Sequence, residues 1–243
     1  MIEAKIIGLG NTAEVYPWED GKVLKLFYKG YPKEAVEREY FNAKVIGALD
    51  FAKPKAYELI SYKDQIGIIY DRVEGESLLQ WVLKTNNVED CAEHMARLHK
   101  SILKNRVRNV KCYKDFLKYH IEKAERVSLN EKEKALKLLN KLPDGDILCH
   151  GDFHPGNILM SRVPTVIDFM NICHGDYLYD VARTVFLIEY TPVPGDFSDR
   201  EKLLCLKRYL AALYLEKMKV TRDMIGDYLS VISIARAGEC PDE

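Results

Sequence analysis

The sequence predicts an α+β fold in two lobes, a small antiparallel β-sheet lobe followed by a larger, mainly helical lobe. Residues 1–28 contain three short β-rich runs separated by turn signals. From Glu76 onward, apolar residues recur mostly with helical spacing. A group of carboxylate and amide side chains lies within residues 150–171, just inside the helical part. These observations predict an N-terminal lobe at residues 1–70 and a C-terminal helical lobe at residues 71–243.

The first lobe is predicted to begin with an antiparallel meander. Its three runs read AKIIGL, AEVYPW and KVLKLFY, and Gly-Asn and Glu-Asp-Gly turns separate them. A helix is expected over residues 33–49, because Pro32 opens it and apolar residues follow at helical spacing. Two further strands are expected at residues 54–60 and 65–71, before the glycine of the segment DRVEG.

The second lobe is predicted to be mainly helical. Helices are expected over residues 77–84, 88–103, 113–126, 131–141, 177–190, 199–217 and 222–236. Short strands are expected at residues 146–149 and 163–167. His94 and His99 share one predicted helix, but residues five apart are ~140° out of register. The two histidines are therefore interpreted as ordinary helix residues rather than as an i,i+4 metal pair.

Composition and charge exclude several classes of protein. The formal net charge of −1 and the pI near 6.6 argue against a nucleic-acid partner. No stretch approaches the ~18 uninterrupted apolar residues of a membrane span, and the start MIEAKIIGLGN lacks a basic leader. We therefore expect a cytoplasmic protein without a membrane partner. The six cysteines form no CxxC pair, which indicates reduced, mostly structural thiols. The sequence does not predict an oligomeric state.

Two neighbouring segments carry the residues that point to chemistry, HGDFHPGN at residues 150–157 and IDFMN at residues 167–171. Asp152, Asn157 and Asp168 supply what a phosphoryl-transfer site requires, a base near the acceptor hydroxyl and two oxygen ligands for Mg²⁺. Each residue alone is also typical of a turn or a loop. All three in this order, with apolar strand-like residues between them, favour the functional interpretation.

The segment HGDFHPGNIL, followed by IDFMN and by GDYLYDVAR at residues 175–183, resembles the aminoglycoside phosphotransferase and choline kinase-like family. That family is the small-molecule branch of the protein-kinase-like fold. Against the protein-kinase patterns HRDxxxxN and DFG, the residues His150, Asp152 and Asn157 stand at the same offsets. Asp168 follows Asp152 by 16 positions (168 − 152 = 16).

Three departures from the protein-kinase patterns favour the small-molecule branch. Gly151 replaces the arginine, His154 stands at the usual lysine position, and Met170 replaces the glycine of DFG. The resemblance implies a kinase that transfers the γ-phosphoryl group of ATP or GTP to a hydroxyl of a small molecule. It implies Asp152 as the catalytic base, and Asn157 and Asp168 as the Mg²⁺ ligands.

The resemblance also assigns a phosphate cover to the turn between the first two strands. Gly8, Gly10 and Asn11 lie in the segment GLGNTAEVY, where a kinase has its glycine-rich loop. The third glycine of that loop is missing, since Ala13 stands nearby instead. A GxG turn is also typical of an ordinary hairpin, so this assignment depends on the rest of the site.

Lys25 lies among apolar residues in the strand KVLKLFY, so its charge is expected to need a partner. The resemblance implies that it contacts the α- and β-phosphates and pairs with a glutamate of the following helix. Glu39 is the preferred partner and Glu37 is its rival, since two residues span ~200° of a helix and only one can face the lysine. The alternative is a surface lysine beside a solvated acidic helix face.

The segment YDRVEGES resembles the family's hinge. The resemblance implies that backbone groups of Asp71 and Val73 bind a purine base. Tyr70 takes the gatekeeper position behind that base, where its bulk is expected to restrict adenine or to favour guanine. Asp180 resembles the helix-borne acid that holds the backbone of the catalytic loop.

For the acceptor, the sequence predicts only a small hydroxylated molecule and does not identify it. Residues 196–243 hold nine acidic and eight basic side chains, which is no acidic trap for a polycationic aminoglycoside. An aminoglycoside or choline-type kinase is therefore one alternative to an unspecified small-molecule kinase. A catalytically silent nucleotide-binding module is another, because the third glycine is missing and the DFG glycine is changed.

Overall fold

The computed structural model describes residues 5–19, 21–192 and 200–241. Over these residues the chain forms two compact units, Met1–Ser77 with Ile158–Asn171, and Leu78–Asn157 with Ile172–Glu243. The division into lobes at residues 70 and 71 stays a prediction. Three positions of predicted elements lie outside the described residues. They are residue 4 in the first predicted strand, residue 20 in the turn after the second, and residue 199 at the start of a predicted helix.

The elements follow in chain order. The strands are β1 (Gly8–Leu9), β2 (Ala13–Pro17), β3 (Lys22–Phe27), β4 (Ala56–Tyr62), β5 (Gln65–Asp71), β6 (Glu76–Ser77), β7 (Lys111–Cys112), β8 (Ile147–Cys149), β9 (Ile158–Met160), β10 (Thr165–Val166) and β11 (Cys173–Gly175). The helices are α1 (Lys33–Ile46), α2 (Leu78–Thr85), α3 (Val88–Leu103), α4 (Tyr113–Lys123), α5 (Leu129–Lys141), α6 (Tyr177–Tyr190), α7 (Arg200–Met218) and α8 (Arg222–Glu239).

The first unit contains a five-stranded antiparallel sheet in the order β1-β2-β3-β5-β4. The meander β1-β2-β3 pairs each strand with the next in sequence, as the turn signals predict. Strand β5 is central because it pairs with both β3 and β4. It carries a run of four buried residues, Gly67 to Tyr70, which agrees with a strand covered on both faces.

Helix α1 packs on this sheet through one buried stripe. Val36, Glu39, Ala43 and Ile46 follow one another at spacings of three and four, so they share one face of the helix. Val36 and Ala43 of that stripe pack with Phe27, Ile68 and their neighbours in the core of the first unit. The helix ends at Ile46 rather than at residue 49.

A second, three-stranded sheet completes the first unit, with the order β10-β9-β6. Gly75 precedes β6 with a φ of 139°, and a Cβ atom there would lie 2.4 Å from the carbonyl oxygen of Met160. A glycine is therefore required where the chain passes β9. The predicted strand at residues 163–167 is present only as Thr165–Val166.

The second unit is mainly helical. Its small sheet has the order β7-β11-β8, and a single 3₁₀ turn, Pro155–Asn157, lies in the loop after β8. Helix α6 is the most enclosed element, since ten consecutive residues from Tyr179 to Ile188 are buried. In the part of the chain that the structure describes, none of the helices is long and apolar enough to cross a membrane.

Candidate active site

Lys25 and Glu39 form a buried ion pair in the first unit. Lys25 lies in the middle of β3, and its Nζ donates to Oε1 of Glu39 at 2.8 Å and to Oε2 at 3.0 Å. The two side chains are 14% and 1% exposed. Glu37, the rival partner, is 48% exposed and faces Lys33 one turn away in α1. The glutamate that reaches Lys25 is therefore Glu39.

Asp168 joins this pair from the segment IDFMN. Its Oδ1 lies 3.1 Å from Nζ of Lys25, so the ammonium group has three carboxylate oxygens within hydrogen-bond distance, as many as it has hydrogens. Asp168 has a φ of 66°, in the left-handed region that aspartate tolerates better than most residues. The amide of Asn42 in α1 donates to the carbonyl oxygens of Phe169 and Met170, both at 3.1 Å. Asn42 thereby ties this segment to the helix that carries Glu39.

The charges of this cluster shift one another's pKa values. Burial by itself lowers the pKa of Lys25, but the carboxylates of Asp168 and Glu39 outweigh burial and raise it. Burial raises the pKa of Glu39 and Lys25 opposes that rise, with the net direction upward. Tyr70, the predicted gatekeeper, donates its hydroxyl to Oε1 of Glu39 at 3.0 Å. Burial, with the nearby Glu39 charge, holds the pKa of Tyr70 well above its usual value, so the phenol stays a donor.

The predicted glycine-rich loop is a tight connection between β1 and β2. The N–H of Gly10 donates to the carbonyl oxygen of Ala13 at 3.0 Å, with Asn11 inside the turn. A Cβ atom on Gly8 would lie 3.2 Å from Val15 on β2, whereas a Cβ on Gly10 would meet only ordinary contacts. Of the two glycines, Gly8 is the one that the strand pairing constrains.

The predicted hinge follows β5. The N–H of Asp71 donates to the carbonyl oxygen of Lys55 at 3.0 Å, and the Asp71 carboxylate accepts from Tyr57 at 2.7 Å. Val73 lies two residues further on and is half-buried. Within the described residues, the backbone N–H and C=O of Val73 make no hydrogen bond.

In the second unit, Asp152 and Asn157 lie side by side. The Nδ2 of Asn157 donates to the backbone oxygen of Asp152 at 2.9 Å and to its Oδ2 at 3.2 Å. The 3₁₀ turn brings them together, since the N–H of Asn157 donates to the carbonyl oxygen of His154 at 2.9 Å. Both partners of Nδ2 are acceptors, so the amide nitrogen must face Asp152 and Oδ1 must point away from it.

Asp180 holds the backbone of the same loop. Its carboxylate accepts from the N–H groups of His150 at 2.6 Å and of Gly151 at 2.8 Å. His99 lies 2.8 Å from the same carboxylate through Nε2 and 2.5 Å from the hydroxyl of Tyr214 through Nδ1. Burial alone raises the pKa of Asp180, but His99 and the backbone donors outweigh burial and lower it.

The structure thus brings together Lys25, Glu39 and Asp168 in the first unit, and Asp152 and Asn157 in the second. Asn42 and His99 have no predicted functional role, although both contact the predicted site segments. Helical spacing marks both as buried, and a buried polar side chain must have partners. Which partners they find is not visible in the spacing.

Solved aminoglycoside phosphotransferases have the same fold. The aminoglycoside-3'-phosphotransferase of type VIII has a TM-score of 0.66 and 15% identity, over 96% of this chain and 93% of that one. The ADP-bound phosphotransferase APH(2'')-Ib has a TM-score of 0.60 and 15% identity, over 99% and 87%. APH(3'')-Id from Streptomyces rimosus, in complex with ADP and streptomycin, has a TM-score of 0.58 and 15% identity, over 96% and 93%. These likenesses confirm the two-lobed, protein-kinase-like fold class.

The sequence itself matches the phosphotransferase enzyme family over residues 3–212. The chain belongs to this family, and the expectation of a small-molecule kinase is confirmed. No curated protein matches the sequence.

Proposed function

We propose that this protein transfers the γ-phosphoryl group of ATP or GTP to a hydroxyl group of a small molecule, in a Mg²⁺-dependent reaction. The observation that carries the proposal is the buried ion pair of Lys25 and Glu39, together with the contact that Asp168 makes with Lys25. A lysine held by two carboxylates in a sheet has a fixed position and a permanent charge, which suits a group that orients the phosphates of a donor.

Lys25 has no spare hydrogen in this cluster, so donor binding requires an exchange of partners. Both oxygens of Glu39 bind Lys25 from a helix that packs on the sheet, whereas Asp168 contributes one oxygen and is 36% exposed. We propose that the donor's α- and β-phosphates replace Asp168 on Lys25 and that Glu39 stays in place. Gly8, Gly10 and Asn11 would cover the phosphates, and backbone groups of Asp71 and Val73 would bind the base.

Asp152 is the proposed base. Its Oδ2 accepts the amide hydrogen of Asn157, which fixes the orientation of the carboxylate. The other oxygen, Oδ1, would accept the proton of the acceptor hydroxyl as the new P–O bond forms and the bond between the γ-phosphorus and the leaving nucleoside diphosphate breaks. His154 lies 3.9 Å from Oδ2 through Nε2, on the side of the carboxylate that Asn157 occupies.

Asn157 and Asp168 are the proposed ligands of Mg²⁺. The donor set fits this metal, because amide and carboxylate oxygens are hard ligands and Mg²⁺ usually takes only one or two protein side chains. Oδ1 of Asn157 is turned away from Asp152, and Asp168 would exchange its contact with Lys25 for a contact with the metal once Lys25 has turned to the phosphates. When bound, Mg²⁺ would neutralise charge on the phosphoryl group during transfer.

The acceptor class is left at a small hydroxylated molecule. Several of the similar solved structures carry aminoglycosides, among them streptomycin and hygromycin B. At 15–16% identity such a likeness shows the fold alone, and this chain has no surplus of acidic residues after residue 196. An aminoglycoside or choline-type kinase therefore stays the second candidate function.

A direct test compares wild type with Asp152→Asn in two assays. Nucleotide binding is measured by calorimetry with a non-hydrolysable ATP analogue and its GTP counterpart, with and without Mg²⁺. Transfer from radiolabelled ATP or GTP is then measured across amino sugars, neutral sugars, choline analogues and hydroxy amino acids. We expect Asp152→Asn to bind the analogue normally and to lose at least about 100-fold in transfer rate, as expected for a general base.

Asp144→Asn serves as the matched control, since it makes the same change at an aspartate whose side chain is 86% exposed and lies outside the site segments. Binding without transfer to any acceptor by the wild type would indicate the silent nucleotide-binding module instead. Absence of Mg²⁺-dependent nucleotide binding by the wild type would refute both interpretations.

A further inference from the structure

Arg183 is a fully buried cation beside the catalytic loop that the proposed chemistry does not use. It lies in α6, and its side chain is 1% exposed. Its Nε donates to the carbonyl oxygen of Gly151 at 3.0 Å, and its Nη2 donates to Oε1 of Glu239 at 2.5 Å. The guanidinium group therefore links the catalytic loop to the last residue of α8.

Gly151 is held on both of its peptide groups by one face of α6. Its N–H donates to Asp180 and its C=O accepts from Arg183, and these two residues lie three positions apart on the same side of the helix. Gly151 has a φ of 75°, a conformation that glycine adopts at little cost. Because Asp152 is the next residue, these two hydrogen bonds constrain the backbone from which the side chain of the proposed base extends.

Glu239 supplies the charge that keeps Arg183 buried. Its Oε1 binds Arg183, and its Oε2 lies 3.2 Å from Nη1 of Arg236. Burial by itself lowers the pKa of Arg183, but Glu239, with smaller contributions from Tyr179 and Asp152, outweighs burial and raises it. Burial by itself raises the pKa of Glu239, but the charges of Arg183 and Arg236 outweigh that effect and lower the pKa. Both groups are charged at neutral pH, and a buried charge that loses its partner is strongly destabilising.

The position of Glu239 is itself set by a close helix contact. A Cβ atom on Gly238 would lie 2.0 Å from the carbonyl oxygen of His120 and 2.9 Å from the backbone nitrogen of Ala124. The last turn of α8 therefore lies directly against the end of α4, and only glycine allows this approach. The same contact brings Glu239 within reach of Arg183.

We propose that Glu239 is a positioning residue for the catalytic loop: acting through Arg183, it fixes the Gly151 carbonyl and so orients Asp152. The proposal rests on the proposed function only in taking Asp152 as the base. Glu239 itself touches neither donor nor acceptor. Helix α8 is then part of the machinery that prepares the loop for phosphoryl transfer.

Glu239→Gln tests this proposal, because it keeps the shape of the side chain and removes its charge. Asp227→Asn is the matched control, since it removes an exposed carboxylate from the same helix. Hydrogen exchange is followed by mass spectrometry on peptides that cover residues 148–157. We expect exchange at these amides to be about tenfold faster in Glu239→Gln than in wild type, since a charged hydrogen bond is replaced by a weaker neutral one. Peptides from β3 and α1 should exchange as in wild type.

Hydrolysis of Mg·ATP, with water as the acceptor, supplies a second measurement. We expect kcat to fall about tenfold in Glu239→Gln, with KM for ATP unchanged, because the loop is displaced and the proposed nucleotide contacts are not. Gly238→Ala should reproduce both effects through the clash with α4. Glu239→Asp keeps the charge and should retain more loop protection than Glu239→Gln.

Unchanged exchange at residues 148–157 in both Glu239→Gln and Gly238→Ala would overturn the proposal. A uniform rise in exchange over all peptides would also overturn it, because Glu239 would then contribute only to general stability. If the wild type hydrolyses no ATP while the local exchange effect is present, the link from Glu239 to the loop stands and the proposed function fails.

Discussion

The buried pair of Lys25 and Glu39 gives the sharpest quantitative prediction, because α1 carries its own control. Glu39→Gln removes the charge that Lys25 meets with two hydrogen bonds, at a site where the glutamate is 1% exposed. Removing one partner of a buried ion pair costs about 3–5 kcal/mol. Lys25 keeps Asp168, and glutamine still offers one acceptor oxygen, so we expect a loss of about 2 kcal/mol in the free energy of unfolding.

Glu37→Gln removes the same charge two residues earlier. Glu37 is 48% exposed and pairs only across the helix surface with Lys33 at 3.5 Å. A surface pair of this kind contributes about 0.3–0.5 kcal/mol. Urea denaturation of both variants measures the difference, and calorimetry with an ATP analogue measures donor binding. We expect Glu39→Gln to bind the ATP analogue about tenfold more weakly than wild type, a loss of about 1.4 kcal/mol in binding free energy, because Lys25 is less firmly positioned. Glu37→Gln should bind the analogue as wild type does. Equal effects of the two variants would refute this reasoning.

Three further predictions use other contacts of the two units. Tyr70→Phe removes a hydrogen bond to the buried Glu39 carboxylate and should lower the free energy of unfolding by about 1–3 kcal/mol in urea denaturation. The pKa of Asp180 is lowered on folding, so its contribution to stability is complete above pH 3.8 and is lost as the pH falls below that value. The acid limb of a stability-versus-pH curve should therefore be shallower in Asp180→Asn. Gly75→Ala should destabilise far more than Gly21→Ala in thermal unfolding, since both have positive φ but only Gly75 has a backbone carbonyl within 3 Å of the added Cβ atom.

Each of these predictions has an outcome that contradicts it. A Tyr70→Phe variant as stable as wild type would mean that the hydrogen bond from Tyr70 to Glu39 contributes no net free energy to folding. An Asp180→Asn variant with the same acid limb as wild type would mean that other carboxylates carry that dependence. Equal losses in Gly75→Ala and Gly21→Ala would mean that backbone strain, rather than the clash, dominates at Gly75.

Much of the first unit could be predicted from sequence because its signals are local. The turns between β1, β2 and β3 depend on a few consecutive residues, and α1 begins after a proline as expected. Strands β6, β7, β9 and β11 have two or three residues each, too few for any alternation to appear. Their existence depends on partners elsewhere in the chain.

The choice between Glu37 and Glu39 shows why the site was only partly predictable. Helical geometry requires that one of them faces away from Lys25 but does not say which. The packing of Val36 and Ala43 into the core of the first unit sets the rotation of α1, and that rotation buries Glu39. The pairing is therefore a result of side-chain packing, which a single sequence does not display.

The sequence alone determined the fold class, the family and the order of Asp152, Asn157 and Asp168, because these depend on short motifs and on the periodicity of neighbouring residues. Tertiary structure decided which glutamate meets Lys25, that Asn42 and His99 bind the site segments, and that Arg183 pairs with Glu239, 56 positions away. Charged residues far apart in a sequence look like surface residues. Only the packing of helices against one another buries them, and burial obliges each charge to find its partner.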